Sequence, residues 1–252
     1  MTQILAIVNQ KGGVGKTTTA INLGAGLGAL EQRVLLVDCD PQGNATRGLG
    51  HTAEEPHLYH ALIGACAPED AIRTTSFPNL DLLPTDRELV GVEVEFVGQE
   101  GWERKLRDLL HALAPRYDLI FLDCPPSLGH LTVSALAAAD QVLVPLQCEY
   151  YALEGISELM NTVDRVQEGL NPTLEINGIL LTMYDDRTNL SKDVADEIRS
   201  HFQDKVYQTV VPRNVRLAEA PSHGLPIFQY DIKCRGAAAY LELAREFVER
   251  GA

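Results

Sequence analysis

A chain of 252 residues, 45% hydrophobic, can bury a large core as one domain, and its net charge of −14 argues against a basic nucleic-acid binder overall. A local DNA-binding patch remains compatible with that charge, but it has to be weak, salt-sensitive and confined to one face. No apolar run approaches the ~18 residues of a membrane span, and no basic lead marks a signal peptide.

Five cysteines without C-x-x-C pairing indicate a reducing, cytosolic setting, and seven scattered histidines indicate no zinc site. Ile4–Val8 is a continuous apolar, mostly β-branched run that predicts a strand buried on both faces. Asn9–Gly15 is glycine-rich, and Lys16-Thr17-Thr18 opens a helix reaching about Ala29. Strand, glycine loop and helix together form a phosphate-binding arrangement. Gly12, Gly13 and Gly15 leave the room that backbone N–H groups need to close on a polyphosphate. The helix N-terminus adds unpaired N–H groups and a favourable dipole. Lys16 can reach the β- and γ-phosphates, and the Thr17 hydroxyl suits Mg²⁺. The cradle runs through Val14 and on to Thr18. Gly24, Gly26 and Gly28 predict that this helix packs closely on the sheet.

Arg33–Asp38 is the second buried strand. Pro41 and Gly43 end it and set Asp38 and Asp40 in a loop at its C-terminal end, where open α/β sheets hold ligands. Between His51 and Phe77 the chain is looser, with short helices expected at Leu58–Ile63 and Pro68–Ile72. Asn79–Pro84 reads as a short strand. Helices follow at Glu88–Phe96 and Trp102–Leu113, separated by a loop at Gly98–Gly101. The stripe Leu106, Leu109, Leu110, Leu113 suits a sheet-covering helix. Asp118–Leu122 is the third strong strand and delivers Asp123, an acid placed to hold a metal beside a phosphate loop. Strands at Gln141–Pro145, Ile176–Met183 and Val206–Val211 alternate with helices at about 149–168 and at Leu190–Phe202. Tyr184–Thr188 is a polar loop, and Pro212–Gly224 is turn-rich with a short helix at Val215–Ala220. A helix at about Gly236–Glu249 closes the chain. This alternation predicts a single-domain α/β fold, a mostly parallel twisted sheet covered by helices on both faces.

Gln10 stands where the common phosphate-loop pattern has its first glycine, and a second lysine follows, giving K-G-G-V-G-K-T at Lys11–Thr17. This resembles the deviant Walker A box of the ParA/MinD/nitrogenase-iron-protein group of P-loop ATPases. VNQKGGVGKTTTAINLGAGL, VLLVDCDPQGNAT, LIFLDCPPSLG and PRNVRLAEAPSHGLPIFQYD resemble the chromosomal ParA (Soj) branch, over essentially the full length.

The resemblance implies a slow ATPase using ATP and Mg²⁺ that closes into a homodimer around two nucleotides. Lys11 then contacts the phosphates bound by the other subunit, and Lys16 those of its own. Asp40 serves hydrolysis, with Asp38 in support. Thr17 ligates Mg²⁺, and Asp123 holds it through a water. Pro212 and Asn214 lie beside adenine and ribose. The ATP dimer binds double-stranded DNA without sequence preference, and ParB stimulates hydrolysis. The cycle drives chromosome or plasmid segregation by a cytoplasmic, nucleoid-associated protein. DNA contact is carried over to Arg187 and Arg216. Among the residues themselves, Arg199, Lys205, Arg213 and Arg216 face one acid, Asp204, and Lys233 and Arg235 form a second basic pair.

Three rivals remain open at this level. A MinD-like membrane-associated ATPase needs a basic amphipathic tail, but in AYLELAREFVERGA Glu242, Glu246 and Glu249 outnumber Arg245 and Arg250, so packing on the body is expected. An iron–sulfur ATPase needs a second cysteine to accompany Cys124. A small-molecule kinase or a non-hydrolysing binder needs a substrate pocket that the sequence does not mark. The first strand begins at about Gln3, so no N-terminal helix-turn-helix is expected.

Overall fold

The computed structural model describes every residue except Met1, Val97, Gly98, Glu100, Tyr151 and Ala252, and for Glu93 the backbone alone. The apolar runs form β1 (Gln3–Ile7), β2 (Val34–Asp38), β3 (Arg73–Thr74), β4 (Leu80–Leu83), β5 (Leu119–Asp123), β6 (Gln141–Gln147), β7 (Glu175–Tyr184) and β8 (Val206–Pro212). They make one sheet in the order β3-β4-β2-β5-β1-β6-β7-β8. Every pairing is parallel except β3 with β4.

The helices are α1 (Lys16–Ala29), α2 (Asn44–Gly48), α3 (Leu58–Leu62), α4 (Val90–Glu95), α5 (Lys105–Leu113), α6 (His130–Ala138), α7 (Ala152–Gly169), α8 (Asn189–Phe202), α9 (Val215–Glu219), α10 (Ile227–Tyr230) and α11 (Arg235–Glu249). The pleat sorts β1 between two cores. Ile4, Ala6 and Val8 join residues of α5, α6, α7 and α8, whereas Leu5 and Ile7 join residues of α1 and α11. Burial on both faces is what the unbroken apolar runs required.

The sequence misses α6 altogether: seven of its nine residues are buried, so it shows no amphipathic stripe to detect. It also misses the short α2, β3 and α10. Single turns of 3₁₀ helix precede α4 and α5, at Arg87–Leu89 and Trp102–Arg104, where continuous helices were expected. Tyr184 belongs to β7 rather than to the following loop. Of the expected loop at 98–101, Gly98 and Glu100 lie outside the described residues.

The α1 glycines serve three different neighbours rather than the sheet alone. A Cβ at Gly24 would lie 3.3 Å from Leu80 of β4, one at Gly26 3.0 Å from Ala244 of α11, and one at Gly28 2.6 Å from the Pro78 carbonyl. The apolar side of α11, including Tyr240, Leu243, Ala244 and Phe247, is buried in the core. Among the described residues no helix is long and apolar enough to cross a membrane.

Candidate functional site

The β2–β5–β1 order sets three strand ends side by side. Asp38 of β2 and Ile7 of β1 are both register partners of Asp123 on β5. The chain leaves β1 through the glycine loop, which three hydrogen bonds pin in place. Asn9 donates its amide to the Pro145 carbonyl (2.8 Å), and its Oδ1 accepts from the Lys11 N–H (2.9 Å). Thr182 donates to the Val14 carbonyl (2.8 Å), so the buried Val14 side chain anchors the loop and only its N–H is left to face a ligand. Gly15 precedes α1 with φ of 93°, a left-handed backbone, and no side chain caps the helix. The first-turn N–H groups are thereby left to an anion.

The two lysines diverge. Lys16 is 7% exposed, and its Nζ donates to the Lys11 carbonyl at 3.2 Å. Burial lowers its pKa, and the nearby Asp123 carboxyl opposes that shift. Lys11 is half exposed, and its ammonium pairs with Glu149. An open pocket of about 460 Å³ lies over the loop, lined by Gly12, Gly13, Lys16, Thr17, Thr18 and Asp40, with Arg47 of α2 on its wall. The sequence did not single out Arg47, because its place depends on a five-residue helix that the sequence did not reveal.

The three acids have different surroundings. Asp38 is fully buried, accepts from the Thr46 N–H and hydroxyl at 2.8 and 2.7 Å, and receives the Asp40 N–H at 3.3 Å. Burial pushes its carboxyl up to about 7, against the pull of those hydrogen bonds. Asp40 is 6% exposed and accepts the Gln42 N–H at 2.9 Å. Among the described residues, neither oxygen of the buried Asp123 has a hydrogen-bond partner. Burial, then the neighbouring Asp38 charge, holds its carboxyl well above the usual carboxylate range, while Thr17 and Lys16 pull it back. A buried, unpartnered carboxylate beside a hydroxyl is a hard-oxygen donor set. It fits Mg²⁺, an ion that takes one or two carboxylates and keeps much of its water.

A second cavity of about 170 Å³ shares Gly15 and Thr18 with the first, and its wall is largely apolar. Pro212 and Asn214 line it, together with Met183, Leu217 and Tyr240. Asn214 caps α9 by accepting the Arg216 N–H at 2.8 Å, which leaves its amide N–H groups to donate. Met183, absent from the sequence reading, holds a left-handed φ of 49° and lines both cavities. Such strain in a residue other than glycine or asparagine often marks a ligand wall.

A family model described as an AAA domain matches residues 2–176. The chromosome partitioning protein ParA of Caulobacter vibrioides is 54% identical over 252 residues, covering 98% of this chain and 94% of that one. The sporulation initiation inhibitor protein Soj of Bacillus subtilis is 54% identical over the full length of both. The chain belongs to the ParA/Soj family of chromosome-partitioning ATPases. Among solved structures, a cobyrinic acid a,c-diamide synthase from Mycobacterium smegmatis with bound ADP and magnesium matches with a TM-score of 0.85 at 39% identity, covering 97% of this chain and 93% of that one.

Of the four basic residues expected to meet DNA in this ParA/Soj-family ATPase, three are paired within the chain. Arg187 is held by both oxygens of Asp185, at 2.8 and 2.7 Å. Arg216 is shared between Glu219 (2.9 Å) and Asp231 (3.4 Å). Arg235 faces Asp186 at 3.6 Å. Among the described residues the exposed Lys233 makes no ion pair. Arg187, Arg213 and Arg235 do come together, around one surface pocket that Asp185, Asp186 and Glu242 also line. The acids Asp231 and Glu242 lie 15 or more positions beyond Arg216, so a local charge count along the sequence does not show them.

Proposed function

We propose that this ATPase is a single-domain dimerising switch for DNA segregation. The divergence of Lys16 and Lys11 carries this reading: one lysine is buried in its own chain's pocket, while the other is tethered to Glu149 at the lip. In this scheme Gly12, Gly13, Val14 and Gly15 offer backbone N–H groups to the phosphates of ATP. Thr18 closes the cradle, and Lys16 neutralises the developing charge. Thr17 and Asp123 hold Mg²⁺, which, when bound, neutralises phosphate charge and fixes its geometry. Asp40 orients the attacking water, and Asp38, locked by Thr46, keeps the Asp40 loop in place. Pro212 packs on the base, and the Asn214 amide donates to base or sugar.

Lys11 exchanges Glu149 for the phosphates of a second copy, which makes nucleotide occupancy a condition for dimerisation. The dimer presents Arg187, Arg216, Lys233 and Arg235 twice over to non-specific DNA. Two weak patches on one rigid body bind by avidity. A ParB partner stimulates hydrolysis and resets the pair. The apolar side of α11 is already used in the core, which favours this scheme over recruitment to a membrane. Sedimentation with ATP tests it. Wild type is expected as a dimer, Lys11→Ala as a nucleotide-bound monomer, and Asp40→Ala as a dimer that persists. A Lys11→Ala protein that dimerises as well as wild type overturns the scheme.

A further inference from the structure

Two of the histidines that lie scattered along the sequence meet in space, away from the phosphate loop. His57 immediately precedes α3 and His60 lies within it. Their rings meet edge to face with centroids 4.4 Å apart. Both Nδ1 atoms are buried and have no partner among the described residues, so Nε2 carries the polar contacts of each ring. His57 is 1% exposed, and its Nε2 faces Asp86 Oδ1 and Glu88 Oε2 at 3.4 Å each. His60 Nε2 lies 4.0 Å from the same Glu88 oxygen and 3.6 Å from Glu55. One ligand atom from each of His57, His60 and Glu88 lies within 4.8 Å of the others. These spacings exceed ordinary N–H···O hydrogen bonds. They are close to the ~3.4 Å between neighbouring ligand atoms around a tetrahedral ion with bonds of ~2.0–2.1 Å.

We propose that His57, His60 and Glu88 bind a borderline divalent cation, Zn²⁺ in the cell, with water in the remaining position. Two imidazoles with carboxylates suit zinc and its first-row neighbours, whereas Mg²⁺ and Ca²⁺ take oxygen donors. Five carboxylates and imidazoles from two segments, 55–60 and 86–88, converge here, so an ion fastens the loop before α3 to the turn after β4. That turn touches the nucleotide site's support: the Thr85 N–H donates to Thr46 Oγ1 at 3.1 Å, and the Thr46 hydroxyl donates to Asp38.

Metal-stripped full-length protein titrated with Zn²⁺ in excess Mg²⁺ tests the site, with Co²⁺ as its spectroscopic probe. One Zn²⁺ per chain is expected, bound at least about tenfold more weakly by His60→Ala and by Glu88→Gln. Zn²⁺ should raise the melting temperature of wild type more than that of either variant. The Co²⁺ spectrum should lack thiolate charge-transfer bands, since the ligands are nitrogen and oxygen. If His60→Ala fails to fold, the half-exposed Glu88 still provides the decisive variant. Absence of stoichiometric uptake, undiminished uptake in a folded variant, or a thiolate band overturns the proposal.

Discussion

The phosphate-loop pocket and the basic strip around Arg187 both offer positive charge to an anion, in opposite conditions. In the pocket Lys16 is buried, Asp123 has no hydrogen-bond partner among the described residues, and α1 begins uncapped. On the strip Arg187 is 82% exposed and already gripped by Asp185, while Arg216 is shared by two acids. A buried group without its partner gains its full interaction when the ligand arrives. An exposed, paired group must first release its acid, and salt screens what is left. In the proposed scheme one chain is therefore sufficient for nucleotide, whereas a polyanion needs several such groups acting together.

The largest test of that contrast is Lys16→Ala. Removing one preorganised charge from the pocket should slow phosphate release on the order of 100-fold, measured in single turnovers. Next is Asp38. Its folded-state pKa lies above the unfolded value, so the folded form keeps its proton longer, and wild type loses stability as pH rises from about 4 to about 7. Asp38→Asn removes that proton, so the gap between variant and wild type should widen in the variant's favour as pH rises across that window and then stay level. Urea midpoints at pH 4.5, 6 and 8 read this directly, and parallel curves would show that Asp38 stays charged. Smaller again is Arg187→Ala, expected to weaken ATP-dependent DNA retention a few-fold and to lower the salt slope by about 1. Smallest is Asp185→Asn, which frees Arg187 and should raise DNA retention at low salt. Unchanged retention there would mean that internal pairing does not limit the strip.

The parts of the fold visible in the sequence are those set by local pattern. β1, β2 and β5 are unbroken apolar runs, the glycine loop has fixed spacing, and α5 and α11 carry clear stripes. Helix α6 escaped because burial on nearly every side erases the stripe. Lys16, Thr17 and the three acids were visible because they lie at a helix start or at or just beyond a strand end, and Lys11 because it stands in the fixed spacing of the glycine loop. What supports them was not: Thr46 reaches Asp38 from α2, a helix the sequence does not reveal, and Thr85 reaches Thr46 because β4 lies beside β2, a pairing between distant segments. The basic residues were visible, but Asp231 and Asp186, which hold Arg216 and Arg235, come from other elements. His57 and His60 show the three-residue spacing of one helical turn, yet nothing in that spacing reveals Glu88, which approaches through the turn after β4.

The hydroxyl of Thr19, one turn into the helix that opens at the phosphate loop, lies 3.1 Å from that of Tyr240 in the chain's last helix, and Gly26 lets Ala244 approach closely. The opening and closing helices thus support each other across 221 positions of sequence. A ribosome must release α11 before α1 finds its lasting support, so nascent fragments that stop short of α11 ought to grip nucleotide less well than longer ones.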